Sequence, residues 1–391
     1  MGLRNGLRLS ARRLLRSRGL RNLVLVFAVY TFLDALRVQR EVTGAPRHDP
    51  KRPRRVERVY IAGMHYNDGA LIRDHWAGAR ELDEELGRRG VRRNVVLDDK
   101  THLEEVEAVP AQGEAREGWI TTPRGKREMR RIPFLARLRN LTLKDLWKLG
   151  EEGEVFDKVL FLNDVVFTTD DVLALLDTNN GLYAAACSLD FSQPPYYYDT
   201  FALRDSAGQG HLMQTWPYFR SRASREAMEA YADAVPVRSC WNGIVAMPAA
   251  PFLVSRASGR RRLEFRAVPD SLAEGKHLEA SECCLIHADN PLSESLGVFL
   301  NPRVRVGYSP AAYEATHPRD SGDSWLSLWR IVVGTWESRV RRLLTSDQVK
   351  KWVVRKRVAE WEAEENGRQE KGVHCLINEG QVLVYNGWAH V

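Results

Sequence analysis

The sequence predicts an α/β fold with a mostly parallel sheet flanked by helices. Short apolar strands, among them Val59–Ala62 and Lys158–Leu162, alternate with segments whose apolar residues recur at helical spacing. Two apolar runs also meet a carboxylate where they are predicted to end, at Asp164 and at Asp190. Because ligands of such sheets bind at the carboxyl ends of the strands, these carboxylates mark a candidate site.

The other elements follow in chain order. A helix after the first strand ends at residues 88–90, and "VRRNVVLDD" is predicted to be a second strand. Residues 100–125 are polar and predicted to be a loop, and residues 125–153 to be one long amphipathic helix. Residues 196–310 mix aromatic side chains with turns. The segment from 325 is helical, with its tryptophans in helix packing, and "GQVLVYNGW" forms a final strand.

The basic charge of the chain is confined to its N-terminal arm. The 391 residues carry a formal net charge of +7, but residues 1–58 hold 15 of the 58 Lys and Arg and only four of the acids. The remaining chain is therefore slightly acidic. This distribution argues against a nucleic-acid partner and indicates a basic segment next to a membrane.

The N-terminal arm predicts a signal-anchor. Leu23–Leu33 is an uninterrupted apolar run of 11 residues, and extending it to Leu20–Leu36 approaches the 20 or so that span a bilayer. With its basic flank, this pattern predicts a cytoplasmic tail over 1–21, an anchor helix over 22–38 and a stem over 39–57. A cleaved signal peptide and a mitochondrial-type presequence are the alternatives.

The five cysteines do not form a zinc motif. None lies in a Cys-x-x-Cys or similar spacing, and an odd count permits at most two disulfides with one thiol left over. The sequence does not reveal the pairing. Asn140-Leu-Thr142 is a formal glycosylation sequon.

Asp164 is the first candidate for chemistry. A carboxylate at the end of an apolar strand suits a hard divalent cation that holds a diphosphate, although it could equally cap the next turn. The arginines of the 125–153 helix could reach such a diphosphate, although most of them should form a solvated face; they are Arg127, Arg130, Arg131, Arg137 and Arg139.

Two further stretches carry candidate side chains. Glu282 and His287 lie five residues apart in "ASECCLIHAD", and on a strand both would point inward only with a turn between them. One could be a metal ligand and the other a base, but a satisfied buried histidine fits the pattern equally well. In "SCWNGIVAM", an exposed Trp241 beside Asn242-Gly243 would form a sugar platform, whereas a core tryptophan before a turn has comparable weight. No Gly-x-Gly-x-x-Gly, Walker, Gly-x-Ser-x-Gly or His-Glu-x-x-His motif is present, which argues against dinucleotide, P-loop, serine-hydrolase and zincin chemistry.

Several stretches together resemble one family, the fungal cryptococcal α-1,3-mannosyltransferases that include the capsule-associated proteins. They are "AGMHYNDGALIRDHW", "RRIPFLARLRNLTL", "KVLFLNDVVFTTDDVLALLDT", "YAAACSLDF", "YYDTFALRD", "SCWNGIVAM", "ASECCLIHAD" and "NPRVRVGYS". The resemblance implies a GT-A-like catalytic domain over 58–310 with a helical extension over 311–391. It further implies a single-pass type II Golgi protein that uses GDP-mannose, with Mn²⁺ or Mg²⁺, to extend a glycan or polysaccharide with retention.

The resemblance also assigns roles to individual residues. Asp164 and His287 would be the metal ligands, and Asp190 and Glu282 the catalytic carboxylates. Donor binding would fall to Gly63, His65, Arg131, Arg139 and Asn163, and sugar or acceptor binding to Trp241, Asn242 and Gly243.

The chain departs from the family pattern in one place. About thirty residues with a strand and an acidic turn would be expected after Trp76, but here one helical segment leads directly into the next. Loss of that strand would remove part of the nucleotide pocket. An inactive, binding-only relative is therefore an alternative, as is a transferase that uses another sugar nucleotide.

Overall fold

The computed structural model of the protein describes residues 18–44, 56, 58–64, 102–111, 113–254, 261–318 and 324–391. The predicted second strand, the helix ending at residues 88–90, His65 and the departure after Trp76 lie outside the described residues.

An eight-stranded sheet forms the centre of the protein, in the order β1-β4-β9-β5-β11-β8-β7 with β6 paired to β5. Three two-stranded ladders join β2 to β3, β10 to β12 and β13 to β14. The strands are β1 Val59–Gly63, β2 Trp119–Thr121, β3 Arg127–Met129, β4 Lys158–Leu162, β5 Ala185–Gln193, β6 Tyr196–Tyr197, β7 Arg204–Asp205, β8 Val235–Ser239, β9 Ile244–Pro248, β10 Glu279–Ala280, β11 Val298–Gly307, β12 Leu376–Ile377, β13 Gln381–Val384 and β14 Gly387–His390.

In the central sheet, five of the eight strands run in the same direction, so the sheet is mostly parallel in strand direction, as predicted; they are β1, β4, β5, β7 and β11. β1 and β4 are parallel neighbours, as are β5 and β11, while β9 and β8 run antiparallel between and beside them. The carboxyl ends of β1, β4, β5 and β11 consequently meet at one edge of the sheet. The antiparallel β9 begins at that same edge, so residues just before it join the strand ends.

Helices lie around this sheet. They are α1 Arg18–Gly44, α2 His102–Glu107, α3 Arg131–Thr142, α4 Lys144–Glu151, α5 Thr169–Leu176, α6 Arg222–Glu229, α7 Asp270–Lys276, α8 Glu282–Asp289, α9 Ser293–Leu296, α10 Pro310–Thr316, α11 Leu328–Leu344 and α12 Gln348–Ala363.

β4 is buried on both faces, which explains its continuous apolar sequence. Val159 and Phe161 pack into the larger core cluster, and Leu160 and Leu162 into the second cluster on the opposite side. All five residues of the strand are buried. The exception is Lys158 at the start of the strand, whose Nζ donates to the Gly181 carbonyl at 3.0 Å. From Val159 to Leu162 both faces are covered by apolar side chains, so polar residues resume where the strand ends, at Asn163.

The predicted loop and long helix over residues 100–153 are both wrong. Residues 102–107 are helical, and β2 and β3 form a hairpin whose turn has Gly125 at a φ of 72°. α3 starts only at Arg131, and the helix is interrupted at Leu143. The Pro123-Arg124-Gly125 turn chemistry, not the apolar period, decides the structure of this segment.

The C-terminal region is joined to the body by two long-range links. β10 pairs with β12, and a disulfide connects Cys284 on α8 to Cys375. A second disulfide connects Cys187 to Cys240, and Cys283 is a buried free thiol. The pairing left open by the sequence is therefore settled at two disulfides and one thiol.

α1 is longer than the predicted anchor and is partly docked. It runs from Arg18 to Gly44, and its segment Arg21–Thr43 is long and apolar enough to cross a membrane. Val38 and Val42 are buried in the main core, so the first residues assigned to a stem are helical and packed on the body.

Candidate active site

The strand ends of the central sheet gather most of the predicted site residues at one edge. Gly63 ends β1 beside Leu162, the last residue of β4. Asn163 follows Leu162, and its backbone N–H donates to the Gly243 carbonyl at 3.1 Å just before β9 begins. The predicted donor-side and sugar-side segments are thus neighbours.

Asn163 and Asp164 follow the end of β4, with the Asn163 amide directed to Trp241 and the Asp164 carboxylate at the strand-end edge of the sheet. Asn163 Oδ1 accepts a hydrogen bond from Trp241 Nε1 at 3.2 Å, which fixes the side chain. Asp164 is half-buried, and its carboxylate forms no hydrogen bond or ion pair with any of the described residues. A carboxylate held at a strand end with its oxygens unused retains its full capacity for a cation.

Asp190 is the hub of a buried hydrogen-bond network. Its Oδ1 accepts from Asn242 Nδ2 at 2.8 Å and from the Asp199 N–H at 3.2 Å, and its Oδ2 accepts from Tyr308 Oη at 3.1 Å. Burial, followed by the charge of Asp199, raises the pKa of Asp190 to about 7. Because both oxygens have partners and the side chain is fully buried, this carboxylate holds Asn242 and Tyr308 in place.

Tyr308 joins the carboxylates into one group. It directly follows the end of β11, and burial, then Asp190, Asp199 and Asp164, raises the pKa of its hydroxyl well above the ordinary value. The charge of Asp164 is therefore felt at the same hydroxyl that Asp190 binds.

Arg139 lies on the other side of this group. Its Nε donates to Glu282 Oε1 at 2.9 Å, and its guanidinium lies 4.6 Å from the centroid of the Trp241 ring. Its terminal nitrogens make no hydrogen bond to the described residues, so they keep donors for an anion. Burial raises the pKa of Asp199. The charge of Glu282 raises this pKa further, and the charge of Arg139 lowers it, so the ion pair also acts on Asp199.

Trp241 corresponds to the core alternative, and the prediction of an exposed sugar platform is wrong. The ring is 2% exposed and packs against Phe161 and Phe265, with Arg139 over it. Its Nε1 positions Asn163, which is a structural contribution to the site.

The Asn242-Gly243 turn depends on glycine. Gly243 has a φ of 90°, and a Cβ built there would lie 2.3 Å from Val306 Cγ2. A side chain would therefore displace the turn from β11, together with the carbonyl that binds Asn163. Asn242 is fully buried and bonded to Asp190, so it does not face a ligand directly.

Glu282 and His287 lie on a helix, α8, and not on a strand. Five helical residues rotate a side chain by about 140°, so the two point in different directions. His287 Nε2 lies 2.7 Å from the Cys240 carbonyl, which requires that this nitrogen donates, and Nδ1 has no partner among the described residues. Burial lowers the pKa of His287 to about 4, so the ring is neutral. Its role as a metal ligand stays a prediction.

Arg131 and Asn140 are used elsewhere. Arg131 Nη1 donates to Gln381 Oε1 at 2.7 Å and its guanidinium lies over Trp388, about 12 Å of helix from Arg139. Asn140 bonds the backbone of Phe265 through both its oxygen and its nitrogen, a geometry that disfavours glycosylation.

The residues at the edge fit a divalent cation. Asp164 offers a hard oxygen ligand with no partner among the described residues, and Trp241 links its neighbour Asn163 to Arg139, whose terminal nitrogens are spare donors. A carboxylate and a guanidinium at one edge are typical of Mg²⁺ or Mn²⁺ sites that also hold substrate phosphates. The two cysteine-histidine groups, one around His287 and one around His374, contain sulfurs already joined in disulfides and are not comparable candidates.

Asp199 and Tyr308 also belong to the site, although neither lies in a motif that predicts a role for it. Tyr308 directly follows the end of a strand, β11, as Asp164 nearly does after β4. This position predicts a place in the site only if β11 runs parallel to β5, as it does in the structure. Asp199 has no such signal, because its place depends on the loop after β6 folding back onto β5.

Comparison with known protein families matches residues 77–289, more than half of the chain, to the family described as Cryptococcal mannosyltransferase 1. No curated protein gives a significant match to the chain. The matched range contains Asn163, Asp164, Asp190 and the Trp241-Asn242-Gly243 turn, as well as Arg139 and Glu282.

Proposed function

Because the chain belongs to the cryptococcal mannosyltransferase family, a family of glycosyltransferase-type enzymes, we propose that it transfers mannose from GDP-mannose to a mannose-containing glycan or polysaccharide. We further propose that an α-1,3 linkage forms with retention at the anomeric carbon. The observation that carries the proposal is the Asp164 carboxylate, which has no partner among the described residues and lies at the strand-end edge, where it acts on the same Tyr308 hydroxyl that Asp190 binds.

In this proposal the donor diphosphate lies along Asp164 and Arg139. A Mn²⁺ or Mg²⁺ ion held by Asp164 would neutralise charge on the diphosphate when bound. Arg139 would donate its terminal N–H groups to the phosphate oxygens while Glu282 and the Trp241 ring hold it in one orientation. Gly63, at the end of the adjacent strand, would lie at the nucleotide.

The burial of the carboxylates favours a proton route through the substrate. Asp190 is fully buried with both oxygens bonded, and Glu282 is buried with its Oε1 bound to Arg139, so neither is a freely exposed base for an acceptor hydroxyl. In a retaining transfer the acceptor and the leaving diphosphate share one face of the sugar. The departing phosphate oxygen can then take the acceptor proton, while Asp190 and Glu282 position the groups around it.

The proposed compartment rests on α1 and the disulfides. An N-terminal apolar helix with a basic flank supports a type II anchor with a lumenal body, and two disulfides suit an oxidising compartment such as the Golgi lumen.

A donor screen tests this function. The full chain in detergent, with Mn²⁺, is expected to release GDP from GDP-mannose and to add an α-linked mannose to a mannose acceptor. Turnover of a UDP-sugar instead would reassign the donor. Absence of turnover with every sugar nucleotide would identify an inactive, binding-only relative, and sequencing the transcript across residues 74–82 would then show whether a coding segment is missing.

A further inference from the structure

α1 is at once an apolar helix and part of the folded body. Each of residues 21–30 is largely exposed, although the Phe27 ring contacts Trp336. From there on, Ala35, Val38 and Val42 recur at helical spacing and are buried in the main core. Leu33, the end of the apolar run, is only two residues, or about 3 Å of helix, from the first of these core residues.

This continuity leaves no slack between an anchor and the body. A flexible stem would let the body stand away from a membrane, but α1 has none between Leu33 and Ala35. If the apolar run enters a bilayer, the part of the body beside it must reach the bilayer surface.

The neighbour of α1 at this point is α11. The ring of Phe27, in the middle of the apolar run, lies 4.5 Å from the ring of Trp336. Trp336 belongs to a stripe on α11 that recurs at helical spacing and also contains Trp329, Val333 and Val340. Those three side chains are exposed, and Trp329 is 73% exposed.

Charged groups begin about 10 Å further along α1. Seven residues after Phe27, Asp34 lies 3.7 Å from Arg339, whose guanidinium also covers the Trp336 ring. Arg225 and Arg220 approach Arg342 from the body, because burial, then Arg225, Arg339 and Arg220, lower the pKa of Arg342. Glu229 lies in the same cluster, 3.8 Å from Arg225, and raises that pKa. With Asp34 it leaves four arginines facing two carboxylates, so the cluster is positive.

This sequence of layers matches a membrane interface. An apolar level at Phe27 and Trp336 gives way within about 10 Å to a cluster of arginines, a distance comparable to the headgroup region on one side of a bilayer. Tryptophan and arginine are the residues that settle at this depth, the first with an amphipathic ring and the second by reaching toward phosphates.

We propose that the edge of the body formed by α1 and α11 is seated in the bilayer interface, with Trp329, Val333 and Trp336 at the acyl boundary and the arginines at anionic headgroups. This inference rests on the membrane anchoring proposed above. It makes α11 a second membrane contact, so the body has one fixed orientation on the surface and does not swing on a stem.

Spin labels on single introduced cysteines test this seating, because the native free thiol, Cys283, is buried. Leu25→Cys reports on α1, Val333→Cys on α11, and Val155→Cys on an exposed apolar position of the loop before β4. The full chain is placed in vesicles of phosphatidylcholine with phosphatidylserine. The accessibility of each label to oxygen is then compared with its accessibility to an aqueous nickel complex.

The oxygen-to-nickel ratio is expected to be several-fold higher at Leu25→Cys and Val333→Cys than at Val155→Cys. A high ratio at residue 25 with an aqueous value at residue 333 would overturn the seating while leaving the anchor intact. Aqueous values at both positions would overturn anchor and seating together. Sugar transfer, measured on the same samples, reports on the proposed function independently of either result.

Discussion

Arg139 and Glu282 form a buried ion pair, with 2.9 Å between Nε and Oε1, beside the ring of Trp241. Both side chains are largely withdrawn from water, at 11% and 3% exposure. The pair joins α3 to α8 and at the same time holds the guanidinium over the Trp241 ring, whose Nε1 binds Asn163. It therefore predicts coupled effects on stability and on activity.

Glu282→Ala should lower the free energy of unfolding by about 3–5 kcal/mol, because it leaves the Arg139 charge buried without a partner. The double variant Arg139→Met with Glu282→Gln should recover most of that loss in urea unfolding, yet remain inactive. Glu226→Ala, which breaks the solvent-exposed pair with Arg222, is the control and should leave unfolding unchanged. Equal destabilisation by the single and double variants would contradict a buried charge as the cause.

Asp190 predicts that stability falls as pH rises toward neutrality. Its pKa is raised to about 7 in the folded protein by burial and by Asp199, against about 4 in an unfolded chain. Between those values the folded state holds a proton that the unfolded state does not. The contribution of Asp190 to the free energy of unfolding is therefore fully present below about pH 4. It falls by up to about 1.4 kcal/mol per pH unit as the pH rises from there through the pKa of the folded protein.

Asp190→Asn should flatten this part of the pH profile in thermal unfolding, because an amide cannot titrate. Its oxygen can still accept from Asn242, and Tyr308 can rotate its hydroxyl to accept from the new NH₂ group. An unchanged pH dependence in this variant would show that Asp190 is ionised throughout the range.

Gly243→Ala should cost about 2–4 kcal/mol and weaken donor binding. A residue with a Cβ is strained at a φ of 90°, and the new methyl group would clash with Val306. Gly153→Ala is a matched control, since Gly153 has a φ of 89° and nothing within 4 Å of a Cβ placed there, so only the backbone cost of about 1 kcal/mol should appear. Equal losses in the two variants would show that the contact with Val306 is unimportant.

The cysteine pairing predicts a simple thiol count. The native protein should show no fast-reacting thiol, because Cys283 is buried. Unfolding without reductant should expose one thiol, and reduction should expose five. Mass spectrometry of the labelled peptides would identify the residue, and a different single site would contradict the pairing.

The strand-end site was largely predictable because it depends on local sequence. β4 is apolar from Val159 to Leu162 because both its faces are covered, so Asn163 and Asp164 mark its end without knowledge of the fold. The antiparallel insertion of β9 was not predictable from periodicity, as strand pairing is decided by tertiary contacts. That insertion is what brings Asn242 and Gly243 to the site.

Side-chain burial was the harder quantity to predict. An aromatic residue beside an Asn-Gly turn is compatible with either a core or an exposed platform, and only the packing of Phe161 and Phe265 decides for the core at Trp241. The separation of Glu282 from His287 likewise depended on the conformation of "ECCLIHAD". Ser281 caps a helix there by accepting from the Cys283 N–H.

Mannosyl transfer by Asp164→Asn tests the central claim most directly. The residue is half-buried and its carboxylate has no partner among the described residues, so the variant should unfold like the parent. Its Mn²⁺-dependent transfer from GDP-mannose should fall by about 100-fold or more, and Mn²⁺ with GDP should no longer raise its Tm. Asp170→Asn, at an exposed acid in the first turn of α5, should keep both properties. Full transfer activity in Asp164→Asn would contradict the assignment of the strand-end carboxylate to the donor site.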